Sequence, residues 1–234
     1  MKNTFENLRK RKNLIPLLTT IVLLLLSLIY RSILSHRPVT LEHLPAFRGM
    51  PYVVLENNQP NFDEKLKNGT LSFEQYSELD RYGRCRSALA RIGSDLFPHT
   101  ERESITDVCP TGWQSTQYDF IDGHFLYNRC HLIGYQLTGE NQNLKNLITG
   151  TSYLNQEGML PFENRVYNYI KKTNHHVLYR VTPIFNDTEL VARGVQIEAY
   201  SVEDRGKSIC FNVFVYNNQP DVTINYKDGK SVRS

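Results

Sequence analysis

The rhythm of apolar and polar positions changes several times along the chain, and each change marks an element. From Leu14 to Tyr30 the chain is almost uninterruptedly apolar, with Ile21-Val22-Leu23-Leu24-Leu25-Leu26 at its centre. Between 35 and 75, Pro, Asn, Gly and charged residues break up short apolar patches such as Tyr52-Val53-Val54-Leu55. That pattern reads as a stalk followed by a first strand and turns. Phe73 to Tyr82 has loose helical spacing. Cys85 to Ile92 fits either strand or helix, since Ala88, Ala90 and Ile92 alternate while Arg86 and Arg91 do not. Pro110-Thr111-Gly112-Trp113 signals a turn, and Phe125-Leu126-Tyr127-Asn128 a short strand.

Further on, Leu154, Phe162, Val166 and Ile170 share one helical face, with Tyr167 at its flank, so the spacing predicts a helix over Leu154–Lys172. Pro161 falls inside that span. The helix proper is therefore expected to begin near Pro161, with the Asn155 region an earlier turn or a kinked first segment. Three strands are predicted after it, over Val177–Phe185, Glu189–Val202 and Ser208–Asn217, with turns at Asn186-Asp187 and Asp204-Arg205-Gly206-Lys207. The expected fold class is α+β, an antiparallel meander following a central helix.

The 234 residues leave room for an appendage and one domain. Five basic residues, Lys2, Arg9, Lys10, Arg11 and Lys12, precede the 17-residue apolar run, and Arg31-Ser32 separates it from Ile33-Leu34. About 20 residues span a bilayer as a helix when a terminal arginine snorkels. The expectation is a cytoplasmic tail over 1–13, a transmembrane anchor over 14–34, a stalk over 35–60 and a globular domain over 61–234. With the positive cluster ahead of the span, the domain faces outward from the cell membrane. A cleaved signal, and so a secreted protein, is the alternative; Ser32-Ile33-Leu34 matches a small-x-small cleavage site poorly.

Charge changes the picture in one respect. The net charge is +3, but residues 1–37 hold seven basic residues and one acid. Subtracting these from the totals of 27 and 24 leaves 20 basic against 23 acidic residues, a net of −3. The domain thus lacks a global basic footprint, and any nucleic-acid chemistry must rely on a local basic groove or a bound cation. Cys85, Cys109, Cys130 and Cys210 permit one or two disulfides, or four reduced thiols, and their spacing does not suggest zinc.

Candidate chemistry begins at Tyr127-Asn128-Arg129-Cys130-His131-Leu132-Ile133-Gly134. One histidine between a cation and an apolar pair is by itself most often structural. The sequel adds weight: Asn146-Leu147-Ile148-Thr149-Gly150-Thr151, then Leu154-Asn155-Gln156, then Met159-Leu160-Pro161-Phe162-Glu163. Amides are dense between Asn141 and Asn155, and an amide oxygen is a sound ligand for a hard, hydrated divalent cation.

These runs together resemble the DNA/RNA non-specific endonucleases, most nearly the streptococcal-type secreted and DNA-entry nucleases, over roughly residues 75–217. The resemblance implies a ββα-metal core with a central antiparallel sheet. It implies His131 as general base, Asn155 as the direct magnesium ligand and Glu163 as a carboxylate holding metal-bound water, with Mn²⁺ the alternative to Mg²⁺. Two positions depart from the common motif: Asn128 stands for Asp, within the streptococcal-type pattern, and Cys130 stands for Gly. The residue types suit the task, since an imidazole titrating near neutrality deprotonates water and a cation neutralises developing charge.

For the scissile phosphate the candidate cations are Arg102 and Arg129, with Arg81, Arg84 and Arg86 forming a second basic cluster; the resemblance favours Arg102. Trp113 is either a base-stacking platform or core. The expected substrate is DNA, and RNA as well, gripped through the backbone and cut to 5′-phosphate ends. No protein partner is legible. The competing functions are a site-specific HNH-type nuclease and an inactive surface DNA receptor on the same fold.

Overall fold

The computed structural model describes residues 39–234. The expected tail and anchor lie outside the described residues, among which no helix is long and apolar enough to cross a membrane.

The longest apolar alternations build the scaffold. β6 (Val177–Ile184), β7 (Gly194–Ser201) and β8 (Cys210–Tyr216) pair antiparallel as a meander at the centre of a six-stranded sheet. β3 (Ala88–Ile92) and then β2 (Phe73–Tyr76) extend one side, β1 (Tyr52–Val54) the other, in the order β1-β8-β7-β6-β3-β2. A period of two sends alternate residues to opposite faces. On one face Val177, Tyr179, Val181, Val195, Ile197, Ala199, Phe211 and Val213 join the main core. On the other face Leu178, Arg180, Gln196, Glu198, Asn212 and Phe214 are buried too.

That second face is sealed by the segment before the expected domain start. Val39, Leu41, Leu44, Phe47, Val53 and Leu55 pack against Ile184, Phe214 and Tyr216. Phe62 and the short helix α1 (Glu64–Lys67) close the neighbouring patch, with Leu66 against Leu178 and Val202. Residues 39–60, read from sequence as stalk, thus lie on the sheet, because its second face is apolar enough to need a cover.

The reading of Phe73–Tyr82 as helical is corrected. Phe73–Tyr76 is a strand paired with β3, and the chain then turns around Asp80, whose carboxylate accepts from the amides of Tyr82 and Arg84. Pairing with the open edge of β3 overrides a weak helical period. The three meander strands lie where expected, the first and last trimmed by one or two residues at an end and the middle one beginning at Gly194 instead of Glu189.

Against the main core face lies α3 (Leu160–Thr173), burying Val166 and Ile170. Pro161 occupies its first turn, where its missing N–H costs nothing. The preceding Leu154–Met159 forms a π-helical turn, so the kinked first segment read from Pro161 has a specific geometry. Ahead of it, β4 (Tyr127–His131) and β5 (Leu147–Thr151) form a separate antiparallel hairpin, with the short helix α2 (Tyr135–Thr138) between them. Fully buried Asn217 ties this hairpin to the sheet: its Oδ1 accepts from the Thr151 amide, and its Nδ2 donates to the carbonyls of Thr149 and Ala192. β9 (Val222–Ile224) and β10 (Ser231–Arg233) make a last small hairpin. Hairpin, π-turn and helix together hold one cleft.

Candidate active site

The cleft has a volume of about 680 Å³, and all five residues singled out in the sequence line it: Arg102, Arg129, His131, Asn155 and Glu163. His131 ends β4 and is only 6% exposed. Its Nε2 lies 2.9 Å from the backbone carbonyl of Asn141, which can only accept, so Nε2 carries the proton. Nδ1 is then the unprotonated nitrogen, and the Arg102 guanidinium faces it at 3.4 Å. Burial first, and Arg102 in addition, lower the imidazole pKa to about 4, against the upward pull of the Asn141 carbonyl. At neutral pH His131 is a neutral, oriented imidazole with its lone pair in the cleft.

Glu163, in the first turn of α3, is 9% exposed. Burial pushes its carboxyl up to about 7, although Arg102 and the Gly134 backbone N–H both act to lower it. A Cβ at Gly134 would stand 2.6 Å from Glu163 Oε2, so glycine lets the α2 entry and this carboxylate approach without the carboxylate shifting.

Asn155 projects from the π-turn, and its Oδ1 accepts from the Cys130 thiol at 3.2 Å. Cys130 itself turns into the core, and burial raises its pKa, which keeps it an S–H donor. All four cysteines are free.

The two candidate arginines separate clearly. Arg102 is exposed and reaches His131 Nδ1. Arg129 donates to the carbonyls of Val108 and Thr106 and stacks over Trp113 at 4.1 Å. Those donors also brace the wall of the cleft, and Arg102 is the one of the two that contacts His131. Trp113 correspondingly sits half-buried against a satellite core with Ile121, Leu126 and Tyr127. Arg84 is bound to Asp80 and to the carbonyls of Asp187 and Glu189, and does not line the cleft. Asn146, the other amide in the dense segment, is fully buried and exchanges hydrogen bonds with both backbone groups of Ile133. It is a structural clamp.

The family model for the DNA/RNA non-specific endonuclease matches residues 61–203, more than half of the chain. The chain belongs to that family. It is an endonuclease, and solved structures agree. NucA from Streptococcus agalactiae with no metal bound is 26% identical, covers 83% of this chain and 92% of its own, and superposes with a TM-score of 0.70. The same nuclease with magnesium bound is 24% identical over 83% and 93%, at a TM-score of 0.71. The Sda1 nuclease with a bound zinc ion is 24% identical over 79% and 97%, at 0.63. Among curated proteins, none matches.

Does this endonuclease's own cleft fit a divalent cation? No group of three or more His, Cys, Asp or Glu side chains is gathered among the described residues, so an all-protein cage is absent there. Oxygens of the Asn155 amide and the Glu163 carboxylate line the cleft beside the His131 imidazole. That suits a hard cation that keeps most of its water. A buried carboxylate pushed up to about 7 is also a place where added positive charge is favourable. The residues fit.

Sequence reasoning missed two contributors. Asn141 fixes the tautomer through its backbone carbonyl, which no side-chain pattern announces. Gly134 follows directly on His131-Leu132-Ile133, and only its contact with Glu163 shows what glycine provides there.

Proposed function

We propose that this endonuclease hydrolyses phosphodiester bonds of DNA and RNA without sequence preference, using a divalent cation held at Asn155 and His131 as general base. The observation that carries the reading is the fixed tautomer of His131: Nε2–H committed to Asn141, and Nδ1 unprotonated and facing Arg102 in a cleft that also holds Asn155 and Glu163. In the proposed reaction Nδ1 takes the proton of the attacking water once substrate draws Arg102 from its resting contact. Arg102 then holds a non-bridging phosphate oxygen. Asn155 Oδ1 is the residue that would hold the hydrated cation, with the Glu163 carboxylate beside it to hold the cation's water in place. When bound, that cation supplies the positive charge that stabilises the phosphorane and the departing oxygen. Cleavage of the bond to the 3′ oxygen leaves a 5′-phosphate, the product expected of the resemblance. Magnesium is the proposed ion, with manganese the alternative, because the donors are hard oxygens.

The test is degradation of plasmid DNA and of single-stranded RNA with Mg²⁺ against EDTA, with end-labelling of the products. Cleavage of both substrates in Mg²⁺ alone, leaving 5′-phosphates, is expected; full activity in EDTA overturns the metal-dependent reading. The basic residues ahead of Leu14–Tyr30 support an anchored enzyme with its domain outside the cell. Protease treatment of intact cells is then expected to release an active soluble fragment.

A further inference from the structure

Cys130 stands where the family motif more commonly has glycine, and its side chain reaches directly under the proposed ligand. Its Sγ lies 3.2 Å from Asn155 Oδ1 and 3.6 Å from Met159 Sδ, the first and last of these partners lying on the same π-turn. The thiol has one hydrogen, and of the two amide oxygens in its reach Asn155 Oδ1 at 3.2 Å is nearer than the His131 backbone carbonyl at 3.7 Å. Space for this contact is provided across the hairpin: a Cβ at Gly150 would stand 2.6 Å from Cys130 Cβ, so any larger residue on β5 would displace the thiol.

We propose that Cys130 is a positioning residue that sets the amide of Asn155. A carboxamide has two ends of similar shape, and only the oxygen end ligates a cation. An S–H donor beneath the group favours the oxygen on the thiol side of the cleft, where one lone pair takes the thiol proton and the other is left for the cation. An amide turned over would set its NH₂ against sulfur, a poor acceptor, and offer no donor oxygen in that position. The thiol therefore lowers the cost of organising the ligand before the cation arrives. This inference rests on the reading of Asn155 as the metal ligand.

The test uses the full chain, solubilised in detergent, and three variants: Cys130→Ala, Cys130→Ser and Asn155→Ala. Mn²⁺ binding without substrate is followed by the electron paramagnetic resonance of the free ion, and folding by thermal melting. Serine keeps a donor that can reach the amide; alanine has none. Expected is a rise of about tenfold in the Mn²⁺ dissociation constant for Cys130→Ala, the lower end of the effect of losing a partner behind a ligand. Cys130→Ser should stay within about threefold of the wild type, although both variants lose similar thermal stability. Equal Mn²⁺ affinity in all the Cys130 forms, or equal weakening in Ala and Ser, overturns the proposal and makes the thiol simple packing. Should Cys130→Ala fail to melt cooperatively, the wild type still decides. The S–H Raman band that Cys130→Ser removes must shift when Mn²⁺ is added, and a band that does not move overturns the proposal. If Asn155→Ala itself binds Mn²⁺ as the wild type does, the ligand assignment falls and takes this inference with it. Loss of binding in Asn155→Ala beside unaltered binding in Cys130→Ala defeats the inference alone.

Discussion

Two buried carboxylates on opposite faces of the sheet are treated in opposite ways. Glu198 on β7 faces Arg180 on β6, with side chains 1% and 6% exposed. Their shell is complete. Arg180 donates from Nε and Nη2 to one carboxylate oxygen, at 2.8 and 2.7 Å, the Asn61 amide donates to the other at 2.7 Å, and the guanidinium also reaches the Asn61 carbonyl and lies over the Phe62 ring. Glu163 is nearly as buried, yet Arg102 points to His131 Nδ1 instead, and burial prevails over the help it receives. A desolvated charge with all its partners is architecture. One with a partial shell is a place prepared for charge that arrives from outside, which is why strongly shifted carboxyls gather at active sites.

The largest effect expected from this contrast is at the proposed base. His131→Ala should lower turnover by about 10²–10⁴-fold, the usual contribution of a general base, while melting stays near the wild type. Steady-state cleavage of a plasmid by the purified, folded variant measures it. Near-normal turnover would remove His131 from the mechanism.

Next comes a matched pair of isosteric changes. Glu198→Gln leaves Arg180 buried without its counter-charge and should cost about 3–5 kcal/mol in a denaturant titration, with unaltered turnover of the folded fraction. Glu163→Gln should do the reverse. Losing a carboxylate behind a ligand should reduce activity about 10–100-fold, while removal of a poorly compensated charge holds or raises stability at neutral pH. If the two variants lose stability equally, the contrast between the two faces is broken.

The pH dependence sharpens the same point. Glu163 is raised from 4.5 to about 7 in the folded protein, so it binds a proton more tightly than in the unfolded chain. Its contribution to stability is complete below about 4.5 and is lost as pH rises to about 7. His131 is lowered from 6.5 to about 4, so its contribution is present above 6.5 and is lost as pH falls towards 4. In metal-free protein the two oppose each other between those limits. Glu163→Gln removes one of them, and its stability should then climb visibly with pH from about 4 to 6.5. Chemical denaturation in EDTA across that range is the measurement; a flat profile in the variant would contradict the assignment for His131.

Much of the site was legible because it sits in continuous motifs: His131, Asn155 and Glu163 lie on a hairpin, a π-turn and a helix that follow one another in sequence. The meander was legible for a similar reason, since long strands buried on the core face alternate strongly. What was not legible depends on contacts distant in sequence. Arg102 and Arg129 look equivalent as residues, and only the carbonyls of Thr106 and Val108 and the face of Trp113 distinguish Arg129, which braces the cleft wall, from Arg102, which contacts His131. Asn146 and Asn155 look equivalent as amides until Ile133 claims both ends of the former. The strand at Phe73–Tyr76 needed the edge of β3 to exist before its period meant anything. Residues 39–60 resembled a stalk because the sheet face they cover is written more than a hundred residues later.

The smallest effect expected is at Tyr179, and it tests whether the incomplete shell on the cleft side extends below the surface. Tyr179 neighbours Arg180 on β6, so the two side chains point to opposite faces of the sheet. Arg180 enters the complete network around Glu198. Tyr179 is 0% exposed in the main core, and its hydroxyl finds no hydrogen-bond partner among the described residues. Burial raises its pKa, and the charge of Glu163 adds to the rise, which places the phenol in the field of the cleft. A buried hydroxyl without a partner costs about 1–3 kcal/mol, whereas removing it with its volume kept costs little. Tyr179→Phe should therefore hold stability within about 0.5 kcal/mol of the wild type or raise it slightly, with turnover in saturating Mg²⁺ unaffected. The neighbouring change Arg180→Met, which strands Glu198, should lose several times as much. A loss above about 1 kcal/mol in Tyr179→Phe would mean that the hydroxyl is hydrogen-bonded in solution. In that event the incomplete shell belongs to Glu163 alone, and the core beneath the cleft is as fully satisfied as the far face.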